Sequence, residues 1–131
     1  MLREGLKPYA AGGMTLGADP LATAVSLAAY RRGLKIPAYI VRKQPKDHGT
    51  LAWIEGAKAY PKGAELLVLE DVVTTGGSSL KAAEKLLAAG FKVPQMITVV
   101  DRLEGGREAI EAQGIKLFSL CTLDDIRAVK L

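Results

Sequence analysis

The chain has 131 residues, 49% of them hydrophobic and 24% charged, which is room for one domain with a core built mainly from Ala, Leu, Val and Ile. No apolar run reaches membrane-span length, and Arg3, Glu4 and Lys7 interrupt the opening residues, so neither a membrane protein nor a signal peptide is expected. A net charge of +4 suits a small anionic ligand better than a nucleic-acid groove, and one cysteine, Cys121, excludes an internal disulfide and suits a reducing cytoplasm.

In chain order, residues 9–13 read as the end of a short strand turning into a Gly-rich loop at Gly12 and Gly13. A helix is expected over 20–32, with Asp19 as N-cap, Pro20 at the first helical position and Gly33 as the stop. Strand character returns over 36–41, and 42–56 is polar and basic. Residues 66–69 read as a buried strand and 78–89 as a helix closed by Gly90. A strand over 96–100 and a helix over 106–113, stopped by Gly114, come next. A strand over 115–120 and a helix over 123–129, capped near Thr122, complete the order. Cys121, in the stretch LFSLCTL, reads as a core filler. Alternation of this kind implies βαβ units, hence an α/β domain with a mainly parallel sheet and helices on both faces. Ligands of such sheets bind beyond the carboxyl ends of the strands. Gly12 and Gly13, Arg42 and Lys43, Glu70 and Asp71, and Asp101 and Arg102 all fall there.

The most informative stretch is LLVLEDVVTTGGSSLKAAEKL, residues 66–86. An apolar run ends in Glu70 and Asp71. Val72, Val73, Thr74, Thr75, Gly76, Gly77 and Ser78 lead from there into a helix. Backbone N–H groups at such a loop, with the helix dipole behind them, suit a phosphate. Carboxylates just before the loop suit the hydroxyls of an attached sugar, or a cation bound to it. The pattern is neither GxxxxGK[ST] nor GxGxxG. A loop that only turns the chain and caps a helix is the plain alternative. Two acids at the end of a buried strand argue against it, because carboxylates there need a partner. The stretch reads as a phosphorylated-ribose site.

The segment VRKQPKDHGTLAWIEG brings Arg42, Lys43, Lys46 and His48 within seven residues, punctuated by Pro45 and Gly49. Most charge runs are solvated loops. Beside a phosphorylated-sugar motif, this one reads as a mobile lid that neutralises an anionic ligand.

The acidic pair followed by TTGGS resembles the phosphoribosyl-pyrophosphate (PRPP) motif of the type I phosphoribosyltransferases. RKQPKDHGT followed by IEG is similar to the R-K-x-x-K-D-H-G loop of the orotate phosphoribosyltransferases. GGMTLGADPLA and VVDRLEGGREAIEAQGIKLFSLCTL resemble the pyrophosphate-loop segment and the C-terminal half of that family. The resemblance covers almost the whole chain. It implies a type I phosphoribosyltransferase (Rossmann-like) core over residues 1–131, and the conversion of orotate and PRPP to orotidine 5′-monophosphate and pyrophosphate in pyrimidine biosynthesis. It implies Mg²⁺ as cofactor, held by Glu70 and Asp71 indirectly with PRPP, and a cytoplasmic homodimer. By the same resemblance Glu70 and Asp71 hold the ribose, Val72 and Val73 belong to the PRPP-binding stretch, and Thr74, Thr75, Gly76, Gly77 and Ser78 cradle the 5′-phosphate. Arg42, Lys43, Lys46 and His48 engage the pyrophosphate, with Lys46 and His48 reaching the neighbouring subunit's site. Thr74 and Arg102 grip orotate, and Lys46, His48 and Asp71 form the catalytic set.

Two departures stand out. The stretch Gly13, Met14, Thr15 lacks a lysine that some members carry. The family's N-terminal segment of helices and a strand is also expected to be missing, since Met1 lies only a few residues before the first core strand. An enzyme or its truncated core, a non-catalytic PRPP-binding regulatory module, and another type I nucleobase phosphoribosyltransferase all fit this pattern. The lid loop favours the enzyme.

Overall fold

The computed structural model describes residues 5–130. Arg3 and Glu4 lie outside these, as do both ends of the expected 1–131 unit. Six strands form one sheet: β1 (Ala10–Met14), β2 (Ala38–Val41), β3 (Ile54–Glu55), β4 (Leu66–Val73), β5 (Gln95–Asp101) and β6 (Lys116–Thr122). Their order across the sheet is β3-β2-β1-β4-β5-β6. The pairings of β1 with β2 and β4, of β4 with β5, and of β5 with β6 are parallel, whereas β3 lies antiparallel to β2. The helices are α1 (Asp19–Arg31), α2 (Gly77–Ala88), α3 (Gly106–Glu111) and α4 (Leu123–Arg127).

The central strand shows why the chain folds in layers. Leu66 and Val68 of β4 join Ala82, Ala83 and Leu86 of α2 and Ile110 of α3 in one core. Leu67 and Leu69 join Ala22 and Ala29 of α1 in the other. Alternate residues of a strand face opposite sides, so a strand covered on both faces is apolar throughout. The expected α/β sandwich is found.

Several boundaries differ from the expectation for physical reasons. Gly12 and Gly13 lie inside β1 and not in a loop. A Cβ on Gly12 would run into the Tyr39 carbonyl of β2, and one on Gly13 into the Leu69 carbonyl of β4. They permit close strand approach. Asp19 is the first residue of α1 and Ala18 the N-cap, without a side-chain cap. The Asp19 carboxylate instead accepts from Thr15 Oγ1 at 2.6 Å, and its Oδ1 is buried without a partner. Polarity at Glu70 and Asp71 argues for a strand stop at Leu69, yet pairing with β5 carries β4 on to Val73. Two elements fall within the basic stretch unannounced: a 3-10 turn over Thr50–Trp53 and the two-residue β3. Cys121 is half-buried on the edge strand, its Sγ donating to the Val99 carbonyl at 3.4 Å, so it is not deep core. Thr122 caps α4 as expected, in a reciprocal box with Asp125.

Candidate active site

All the parallel strands present their carboxyl ends at one rim of the sheet. β1 leads into residues 15–18, β2 into Arg42, β4 into 74–76 and β5 into Arg102. The site residues read from the sequence therefore gather along this rim.

Strand pleating separates the two acids. Glu70 shares its parity with Leu66 and Val68, and faces α2. It is 6% exposed, and Ser79 Oγ donates to its Oε2 at 2.9 Å. Burial pushes the Glu70 carboxyl above its ordinary range, against the hydrogen bonds from Ser79 and Ser78, which pull it down; neighbouring Asp71 pushes it up further. Asp71 has the opposite parity and is exposed. Its carboxylate lies against Gly17, where a Cβ would come within 2.9 Å of three of its side-chain atoms. One acid is thus buried against α2, and the other is exposed beside the loop that follows β1, its Oδ1 accepting the Val72 N–H at 2.8 Å.

The loop after β4 opens onto α2 through Gly76, whose φ of 89° favours glycine. No side chain caps this helix, so its first N–H groups face the rim for a ligand to use. Thr75, Gly77 and Ser78 are exposed, Thr74 is half-buried, and Val73 contributes its side chain to the core. Gly106 at the start of α3 presses on this loop from behind: a Cβ there would meet Val73 and come within 2.6 Å of the Thr74 carbonyl.

The basic loop lies on the far side of β1. Arg42 Nη1 pairs with Glu55 Oε1 at 3.0 Å, and Lys46 Nζ approaches the same oxygen at 3.9 Å. The Lys46 N–H also donates to the Ala52 carbonyl at 2.9 Å, and the Arg42 N–H to the Trp53 carbonyl at 2.7 Å. Lys43 and His48 are exposed. Thr15, Ile40, Arg42, Lys43, Gln44 and Glu55 line an open depression of about 410 Å³. Among the described contacts, Arg42 and Lys46 meet Glu55 and not the acids of β4. Arg102, on the opposite flank, is anchored through its N–H to the Val73 carbonyl at 3.0 Å, with its side chain 3.9 Å from Glu104.

Four residues not singled out from the sequence touch the site residues: Gly17 lies against Asp71, Glu55 pairs with Arg42, Ser79 bonds Glu70 and Arg107 bonds Asp101. Ser79 did carry a signal, because it heads the buried stripe Ser79, Ala82, Ala83, Leu86, where a polar residue needs a partner. The other three depend on long-range pairing that spacing does not reveal. Among the described residues no group of three or more His, Cys, Asp or Glu side chains forms a metal cage. Two carboxylates suit a Mg²⁺ ion that draws its remaining ligands from substrate oxygens and water.

A family described as "Phosphoribosyl transferase domain" matches residues 13–129. The orotate phosphoribosyltransferase of Sorangium cellulosum is 51% identical over 116 residues, covering 88% of this chain and 60% of that protein. The orotate phosphoribosyltransferase of Thermosynechococcus vestitus is 50% identical over 127 residues, covering 95% and 67%. A crystal structure of Mycobacterium tuberculosis orotate phosphoribosyltransferase in complex with PRPP superposes with a TM-score of 0.81 at 40% identity, covering 95% of this chain and 69% of that one. The chain thus spans about three fifths to two thirds of the length of the curated relatives it matches.

Proposed function

The chain belongs to the phosphoribosyl transferase domain family, with orotate phosphoribosyltransferases as its relatives, and from that premise we propose that it is the catalytic core of an orotate phosphoribosyltransferase. In this reading it is a single core domain acting in the cytoplasm on PRPP and orotate. One observation carries the reading: a split acid pair on β4, an uncapped glycine-bounded helix N-terminus and the Arg102 turn meet on one rim.

Each residue's part follows from the charge that develops. Residues 74–78 receive the 5′-phosphate at the start of α2, where N–H groups and the helix dipole favour an anion. Glu70 and Asp71 hold the ribose hydroxyls, Glu70 from its Ser79-supported position and Asp71 from the exposed face. When Mg²⁺ is bound with PRPP, it offsets pyrophosphate charge, and Glu70 and Asp71 are the residues that would hold it. Arg42, Lys43, Lys46 and His48 meet the departing pyrophosphate, which requires Arg42 and Lys46 to exchange Glu55 for substrate oxygens. Arg102 and Thr74 orient the base toward the sugar carbon as an oxocarbenium-like centre forms. Catalysis is then chiefly positioning and electrostatics. The working assembly in this reading is a homodimer in which Lys46 and His48 serve the partner's site.

Calorimetric titration with PRPP and Mg²⁺, then orotate, tests the proposal. Glu70→Gln with Asp71→Asn removes two charged hydrogen-bond acceptors, so PRPP affinity should fall by about 100-fold or more. Unchanged affinity would defeat the site assignment. PRPP binding by the unaltered chain without orotate turnover would leave a PRPP-binding module in place of the enzyme. For the lid, a Lys46→Ala chain mixed with an Asp71→Asn chain should recover activity. Confirmed subunit exchange without recovery would place the lid on its own subunit's site.

A further inference from the structure

Asp101 closes β5, and it is 1% exposed. A carboxylate so deeply buried needs partners, and this one has two. Its Oδ1 accepts the Leu103 N–H at 2.9 Å, and its Oδ2 accepts from Arg107 Nε at 3.3 Å. Arg107 spends the rest of its guanidinium on the next strand. Nη1 donates to the Leu117 carbonyl at 2.6 Å and Nη2 to Ser119 Oγ at 3.1 Å. Glu111, one turn along α3, lies 3.5 Å from Nη1. A single side chain therefore ties the end of β5 to α3 and to the middle of β6.

Between these anchors lies the turn that carries Arg102. The Arg102 N–H is fixed to the Val73 carbonyl, and the following residue, Leu103, has φ of 60°. A leucine rarely takes this left-handed conformation, and Leu103 is 51% exposed, so apolar burial is not what holds it there. The bond from its N–H to Asp101 is the visible restraint. We infer that Arg107, acting through Asp101, is a positioning residue that sets the turn after β5 and thereby the direction in which Arg102 presents its guanidinium to the base. The inference rests on the assignment of Arg102 to an anionic base and assigns that contact a support outside the rim. Arg107 itself touches no substrate.

The test uses the whole chain with Arg107→Gln and the milder Ser119→Ala, which removes one of Arg107's anchors. Orotate affinity should fall by about tenfold or more in Arg107→Gln, and by a few-fold in Ser119→Ala, in keeping with the loss of charge-assisted hydrogen bonds. PRPP affinity should stay within about twofold, since the partners of Arg107 are Asp101, Leu117, Ser119 and Glu111, all outside the phosphate loop. Equal losses for both ligands would mark Arg107 as a general support and overturn the inference, as would unchanged orotate affinity. An Arg102→Ala chain is titrated alongside. If it keeps its orotate affinity, or if the unaltered chain binds no orotate, the base assignment is what fails. Amide exchange at Leu103 then decides the positioning: acceleration in Arg107→Gln, or in Ser119→Ala if the first variant does not fold, supports it, and an unchanged rate overturns it.

Discussion

Two neighbouring carboxylates on β4 illustrate how one residue step changes the chemistry. Glu70 is buried on the α2 side and its carboxyl is pushed up, mainly by desolvation. Between the ordinary glutamate range, about 4.3, and the raised folded value, the folded chain binds more protons than the unfolded one. Stability therefore falls as pH rises through that window and stays lower above it. Glu70→Gln keeps an acceptor for Ser79 and removes the buried charge. Its stability, read from melting curves, should match that of the unaltered chain near pH 4 and exceed it at pH 7 by about 0.5–2 kcal/mol. A melting-point difference that shrinks as pH rises would contradict this account. The acid pair itself was legible in the sequence, because carboxylates after an apolar run are conspicuous. Its division between two faces was not, since that depends on β4 continuing to Val73, which pairing with β5 decides.

Among the elements, α3 sets the shape of the loop after β4, the proposed phosphate loop, by pressing against it. Gly106 is buried at the first position of α3, with the Thr74 carbonyl 2.6 Å and the Gly76 nitrogen 3.1 Å from where its Cβ would lie. Gly106→Ala must push α3 or the loop aside, an overpacking cost of about 1–3 kcal/mol. Gly77→Ala is the contrast: its Cβ would find only Thr75 Oγ1 at 4.0 Å, and alanine favours the helix by about 0.5–1 kcal/mol. Denaturant midpoints should drop for the first variant and hold or rise for the second; equal midpoints would show that α3 yields freely. The helices and most strands were readable from periodicity and from stops such as Gly33, Gly90 and Gly114. The antiparallel β3 was hidden, because two residues carry no period and only their partners on β2 define them. Glu55 shared that concealment, being one of the two.

At the scale of the whole molecule, the site draws on parts of very different firmness. β4, which carries the acids and leads into residues 74–76, is bonded to β1 on one side and β5 on the other. The basic loop returns through β3, two residues at the margin of the sheet. The first of these opens with the fold as a whole, whereas the second, paired along one edge only, opens at lower cost even with Ile54 in the core. Native-state amide exchange should accordingly rank Val68 and Leu69 with global unfolding and Ile54 well below it; equal protection would contradict the ranking. In the proposed reading the binding surface is a vice with one fixed jaw and one hinged jaw. In that reading the phosphorylated sugar has its footing in the last region to melt, while the leaving group is met by a segment held to the sheet along one edge only.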